Sequence, residues 1–145
     1  MSRVLTIDPG KSKCGLVVDD INEQKVYKAI VIESKLLKDY VRNLNTVEDI
    51  SKIIIGNGTT SKDIREKLHF LKKEIITFEE KNTTYRAKAR YFEIFPIKGL
   101  KFLVPRDVFI LNKNLDAISA LIILEDYCKM KFTLNQNLDF KTWLK

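Results

Sequence analysis

The sequence predicts an α/β domain with a mixed five-stranded sheet, an antiparallel meander followed by parallel strands, flanked by helices. Three observations predict it. Short β-branched runs separated by turns fill residues 3–32, strand and helix patterns alternate from residue 52 onward, and apolar residues recur at helical spacing between them. The length of 145 residues fits a single domain spanning residues 1–145.

The first three strands are predicted at residues 3–7, 15–18 and 25–32. A Pro-Gly turn separates the first two, and a polar turn at residues 19–23 separates the second from the third. Such short connections join antiparallel neighbours, which is why these strands are predicted to form a meander.

The middle of the chain predicts two helices and two further strands. One helix is indicated by apolar residues at i, i+3, i+4 and i+7, namely Leu37, Tyr40, Val41 and Leu44. A compact apolar strand at residues 52–55 ends at Gly56, a second helix follows with Ile64, Leu68 and Leu71, and residues 74–78 form the fifth strand.

The last third of the chain predicts two more helices around an irregular stretch. Tyr85, Ala89 and Phe92 are expected to form the buried side of a third helix. Residues 95–114 contain two prolines and a glycine and read as a basic loop or connection. Residues 117–124 are apolar almost all round, which indicates a helix packed on both sides.

Composition limits the function classes. A formal net charge of +7 permits binding to a polyanion such as nucleic acid without demanding it. The two cysteines have no metal-ligand spacing, so a structural zinc site is not expected. No signal segment or membrane-length apolar run is present, and we therefore expect a cytoplasmic protein without a membrane partner.

Acidic residues stand at three predicted element boundaries. Asp8 closes the first strand, Glu79 and Glu80 follow the fifth, and Asp116 opens the last long helix. Carboxylates that converge at the ligand-binding edge of an α/β sheet can hold Mg²⁺ or Mn²⁺. Taken singly, Asp8 could be only a turn former, and Glu80 and Asp116 only acids that favour a helix N-terminus.

These residues resemble the RuvC-like proteins of the RNase H superfamily, and most closely their YqgF branch, nucleases of ribosomal RNA precursors. The matching segments are Ile-Asp-Pro-Gly at 7–10, Ile-Ile-Gly at 54–56, Glu-Glu-Lys-Asn-Thr-Thr at 79–84 and Leu-Asp-Ala-Ile-Ser-Ala at 115–120. The resemblance implies a three-layer RNase H-like fold. It also implies catalytic, metal-holding roles for Asp8, Glu80 and Asp116, and selects Glu80 over Glu79.

The sequence departs from that family at two positions. Lys81 stands where the family has arginine, and lysine lacks the bidentate fork that suits phosphate. Ser119 stands where the junction resolvases carry a further aspartate, which favours the YqgF-like branch.

Candidate nucleic-acid contacts are Lys81, Arg86, Arg90 and Arg106. Arg86 and Arg90 lie four residues apart, so they share a helix face that could follow a phosphate backbone, although a solvated basic face would look the same. Residues 56–60 could present backbone N–H groups to a phosphate, or form a plain strand-to-helix turn.

The leading hypothesis is a divalent-metal-dependent endonuclease or exonuclease, acting on structured RNA or branched DNA as a monomer or homodimer. The alternative is a non-catalytic nucleic-acid-binding or ribosome-associated module with a degenerate site, which would bind without turnover. A phosphotransferase of the actin and sugar-kinase type is disfavoured, because its nucleotide cleft needs two such domains and 145 residues supply one.

Overall fold

A computed structural model describes residues 2–97, 99, 103–105, 115–135 and 138. The strands are β1 (Arg3–Asp8), β2 (Lys13–Asp20), β3 (Lys25–Glu33), β4 (Ile50–Gly56), β5 (Glu74–Phe78) and β6 (Thr133–Leu134). The helices are α1 (Leu37–Val47), α2 (Ser61–Leu68), α3 (Thr83–Ile94) and α4 (Asp116–Cys128), with 3₁₀ turns at Ser34–Leu36 and His69–Leu71.

All six strands form one sheet in the order β5-β4-β1-β2-β3-β6. β1, β2 and β3 are antiparallel neighbours, while β4 runs parallel to β1 and β5 parallel to β4. The predicted mixed sheet is thus confirmed. Its predicted count of five omitted β6, a two-residue strand that pairs in parallel with β3. Two residues are too few to show a period in sequence.

The sheet separates two apolar cores, as alternate residues of its strands face opposite sides. In β1, Leu5 and Ile7 belong to the core that contains residues of α1 and α2, whereas Val4 belongs to the core that contains residues of α3 and α4. α4 is buried on every side from Ala117 to Glu125, which confirms the prediction for this helix. The domain therefore has three layers, with helices on both faces of the sheet.

The buried face of α3 differs from the prediction. Thr83, Ala87 and Tyr91 are its buried residues, whereas Tyr85 is 78% exposed and Ala89 is exposed too. Of the three predicted residues only Phe92 is partly buried, packed against the core. The apolar pattern did not identify the buried face, because several faces of this short helix carry an aromatic or alanine residue. The contact with α4 determines which of these faces is buried.

No helix in the described ranges combines the length and the apolar character needed to cross a membrane.

Candidate metal-binding carboxylate site

Asp8, Glu80 and Asp116 are brought together at one edge of the sheet. Asp8 is the last residue of β1, Glu80 follows β5 by two residues, and Asp116 is the first residue of α4. Because β1, β4 and β5 are parallel, their carboxyl ends meet at this edge. The three carboxylates are close enough to interact electrostatically, since in addition to burial the charges of Glu80 and Asp116 both raise the pKa of Asp8.

Gly15 brings Asp116 beside Asp8. Gly15 is the partner of Asp8 across the β1–β2 ladder. A Cβ added at Gly15 would lie 1.9 Å from the carbonyl oxygen of Asp116 and 2.6 Å from the nitrogen of Ala117. Only glycine allows the first turn of α4 to rest directly on β2, and this close approach sets Asp116 against the end of β1.

Gly56 has the corresponding role for Glu80. It ends β4, the strand that pairs with β1 up to Ile7 and Ile55. A Cβ added at Gly56 would lie 2.7 Å from Oε2 of Glu80 and 2.8 Å from Cδ1 of Ile123. The absent side chain leaves the space in which the Glu80 carboxylate folds over the end of β4 toward Asp8.

Without a bound cation, the surroundings of the site disfavour ionisation of its carboxyl groups. Burial, followed by the charges of Glu80 and Asp116, raises the pKa of Asp8 to about 8. Burial also raises the pKa of Glu80, and its Oε2 is buried without a hydrogen-bond partner among the described residues. Crowded carboxylates with an unused buried oxygen fit a divalent cation, which would offset the repulsion and accept that oxygen as a ligand.

The carboxylates do not form a finished ligand shell. Within the described ranges, no three Asp, Glu, His or Cys side chains are already grouped as they would be around a metal ion. Mg²⁺ is commonly held by only one or two protein carboxylates together with water and substrate phosphate.

The candidate nucleic-acid contacts do not all lie beside the carboxylates. Lys81 is exposed and directly follows Glu80. Arg86 instead makes two hydrogen bonds to Asp126 of α4, one of them 2.6 Å between Nη2 and Oδ1. Arg106 lies outside the described residues.

Arg90 is held even more tightly. Its side chain is 13% exposed and its Nε donates to Oε1 of Glu125 at 3.0 Å. Its two Nη atoms donate to Glu93 and to the carbonyl of Phe132. Phosphate contact by Arg86 and Arg90 stays a prediction, and it would require each guanidinium to exchange a carboxylate of α4 for the phosphate.

Sequence reasoning did not single out Lys11 and Lys13, which are exposed in the turn region after Asp8. The sequence feature that could have indicated them is the Pro-Gly-Lys-Ser-Lys segment at residues 9–13, which immediately follows the first carboxylate, Asp8.

The role of Gly56 can be tested through Glu80. We expect Gly56→Ala to lower Mn²⁺ affinity about 10-fold, because mutations that disturb the residues supporting a metal ligand typically have effects of this size. In a Glu80→Ala background the same change should cause no further loss, because the displaced carboxylate is gone. Mn²⁺ titrations of the four proteins by calorimetry measure this coupling.

Gly58→Ala serves as the control, because its added Cβ would meet only Pro9, with the nearest atom 3.0 Å away. It should change Mn²⁺ affinity less than about twofold, well below the loss from a displaced metal ligand. An equal loss from Gly56→Ala with and without the Glu80 side chain would show that Gly56 does not act through Glu80.

The strand order, the mixed strand directions and the helices on both faces define an RNase H-like fold. A scan of protein-family models and a search of curated proteins found no match to this sequence. Among solved structures, the chain is similar to RuvC of T. thermophilus in complex with a Holliday junction substrate, with a TM-score of 0.52 and 11% sequence identity. The alignment covers 89% of this chain and 96% of the RuvC chain.

Proposed function

We propose that this protein is a divalent-metal-dependent nuclease in which Asp8, Glu80 and Asp116 hold Mg²⁺ or Mn²⁺. The observation that carries the proposal is the convergence of these carboxylates, achieved by two glycines that let Asp116 and Glu80 approach the end of β1. A bound divalent ion would supply activation of water and charge stabilisation of the leaving oxygen in phosphodiester hydrolysis.

The protein's own residues would orient that chemistry. Asp8 lies between the other two carboxylates at the centre of the site, because β1 is flanked by β2 with Gly15 and by β4 with Gly56. The buried Oε2 of Glu80 lies in the space that a side chain at residue 56 would fill, so the glycine leaves this oxygen available to a metal ion. Exposed Lys81 would contact a substrate phosphate as a point charge.

Nucleic acid is the proposed substrate class. The similar RuvC chain was solved with a Holliday junction, the motif resemblance points to the YqgF branch and ribosomal RNA precursors, and the net charge is +7. The first two lines of support point to structured nucleic acid, and the net charge permits binding to such a polyanion.

The site predicts a pH dependence of metal binding. With a pKa of about 8, Asp8 keeps its proton at neutral pH and must release it to become a ligand. Mn²⁺ affinity should therefore rise with pH, by up to about tenfold per unit below this pKa, and level off above it. Calorimetric titrations between about pH 6 and pH 8.5 test this, and a flat profile would contradict the role of Asp8.

A non-catalytic nucleic-acid-binding module is the second candidate. Lys81 favours it, because lysine in place of the family's arginine loses the bidentate fork that suits phosphate. This candidate predicts binding with a steep salt dependence and no turnover.

A cleavage panel separates the two candidates. Structured RNA, single strands and four-way DNA junctions are incubated with the protein in Mg²⁺, Mn²⁺ or a chelator. The nuclease proposal expects cleavage of at least one substrate, dependent on the metal and lost in Glu80→Gln. Absence of cleavage in every combination, or cleavage unchanged by Glu80→Gln, would overturn it.

A further inference from the structure

Positive charge is concentrated on one side of the sheet. Residues 34–47 carry three basic and one acidic side chains, and residues 61–73 carry five basic and two acidic ones. The layer made by α1 and α2 therefore accounts for five of the seven net positive charges of the chain. We call the exposed residues of these two ranges the α1–α2 face.

Among the described residues, the opposite layer is nearly balanced in charge. Residues 82–97 and 115–131 together carry five basic and four acidic side chains. Ion pairs occur in both layers: Arg86 pairs with Asp126, Arg90 with Glu125 and Lys131 with Glu93 in this one, and Arg42 pairs with Asp39 and Lys67 with Asp63 on the α1–α2 face. The two layers therefore differ in net charge and not in whether their cations are paired. Of the two described helical layers, the α1–α2 face therefore attracts a polyanion more strongly, because its net charge is larger.

The α1–α2 face also presents an aromatic ring beside two cations. Phe70 is 40% exposed. Nζ of Lys38 lies 5.5 Å and Cζ of Arg42 5.0 Å from the centroid of its ring. An exposed aromatic ring accepts an unpaired base by stacking, while neighbouring cations contact the backbone phosphates.

This face begins at the candidate site. Oγ of Ser34 donates to the carbonyl of Gly10 at 2.8 Å, and the backbone N–H of Ser34 donates to the carbonyl of Ser12 at 2.8 Å. The segment that leads into α1 is thereby fixed to the turn that follows Asp8. Exposed Lys11, Lys13 and Lys35 surround this junction, so basic side chains continue from the carboxylates onto the α1–α2 face.

We propose that a single-stranded segment of the substrate leaves the carboxylate site over this junction and binds along the α1–α2 face, with a base stacked on Phe70. The proposal rests on nucleic acid being the ligand of the site. It places the flanking contacts on Lys38, Arg42 and Phe70, and not on Arg86 and Arg90 of α3.

Binding measured without divalent metal tests the proposal independently of cleavage. Fluorescence anisotropy is recorded at several salt concentrations for a labelled poly-dT strand, a poly-U strand and a hairpin duplex. Lys38→Gln with Arg42→Gln should reduce the slope of log Kd against log salt by about 1.4 on single strands, because two phosphate contacts are lost. Phe70→Leu should weaken single-strand binding about 5-fold or more and leave duplex binding unchanged.

The matched control is Lys88→Gln with Lys129→Gln, the same loss of charge at two exposed residues of the opposite layer. It should leave the salt slope of single-strand binding unchanged. The inference is overturned if this control lowers the slope as much as the Lys38 and Arg42 pair, if neither pair changes it, or if the wild-type protein binds none of the three probes. In each of these cases, metal-dependent cleavage that persists in the variants would still support the proposed nuclease, so failure of this surface is distinguishable from failure of the nuclease.

Discussion

Asp8→Asn is expected to slow metal-dependent cleavage by at least about 1000-fold, because loss of a group that merely supports a metal ligand already costs about 10- to 100-fold. Asp8 is the central carboxylate, acted on by both Glu80 and Asp116. Asparagine keeps its size but offers a neutral oxygen in place of an anionic one. Single-turnover cleavage in Mg²⁺ and in Mn²⁺ measures the effect.

Unfolding would not explain this loss, because the variant removes a carboxylate whose ionisation is disfavoured by burial and by neighbouring charge. Circular dichroism melts should show Asp8→Asn to be at least as stable as wild type at neutral pH. Asp49→Asn makes the same chemical change at an exposed residue immediately before β4, at the opposite end of the strands, and should leave cleavage unchanged. A variant at Asp8 that keeps more than about a tenth of the wild-type rate would refute its role as a ligand.

The second large effect concerns a buried carboxylate far from the candidate site. Asp19 lies near the end of β2, opposite Val4, and is 0% exposed. Neither of its carboxylate oxygens has a hydrogen-bond partner among the described residues. Burial, followed by the charge of Asp20, raises the pKa of Asp19 to about 8, although Arg3 acts in the opposite direction.

This shift makes the contribution of Asp19 to the free energy of unfolding fall as the pH rises. Between about pH 4 and pH 8 the unfolded chain has lost the Asp19 proton while the folded protein keeps it, so deprotonation favours unfolding until the folded group also ionises near its raised pKa. Asp19→Asn removes that titration. The variant should gain on the order of 2–5 kcal/mol relative to wild type between about pH 5 and pH 8, measured by urea unfolding at each pH.

Asp20→Asn is the matched control at the next residue. Asp20 accepts a hydrogen bond from the backbone N–H of Glu23 at 3.1 Å and pairs with Arg3 at 3.4 Å. Removing this charge should lower stability at neutral pH, the opposite sign to Asp19→Asn. A stability difference between wild type and Asp19→Asn that stays constant with pH would contradict the buried-carboxyl account.

Much of the sheet and the shared edge of Asp8 and Glu80 could be predicted, because both are encoded locally. β-branched runs joined by short turns predicted the meander. The parallel strands β1 and β5 predicted that Asp8 and Glu80, which follow their carboxyl ends, lie at the same edge of the sheet. The placement of Asp116 followed from a motif resemblance. What brings it to Asp8 is the contact of α4 with Gly15, which no sequence period encodes.

The features that could not be predicted depend on partners distant in sequence. Arg86 and Arg90 look like free cations in the sequence, but Asp126 and Glu125 meet them from a helix 35 to 40 residues away. That contact also selects which side of α3 is buried. β6 exists because Thr133 donates to the carbonyl of Gln24, a hydrogen bond that spans most of the chain.

The location of a bound Mn²⁺ ion tests the central claim most directly. Crystals of the wild-type protein are soaked in Mn²⁺ above the pKa of Asp8, and anomalous scattering locates the ion. The account predicts a peak about 2–2.3 Å from carboxylate oxygens of Asp8 and Glu80, with Asp116 beside it. Ions bound elsewhere, with Asp8 and Glu80 free of metal, would contradict it.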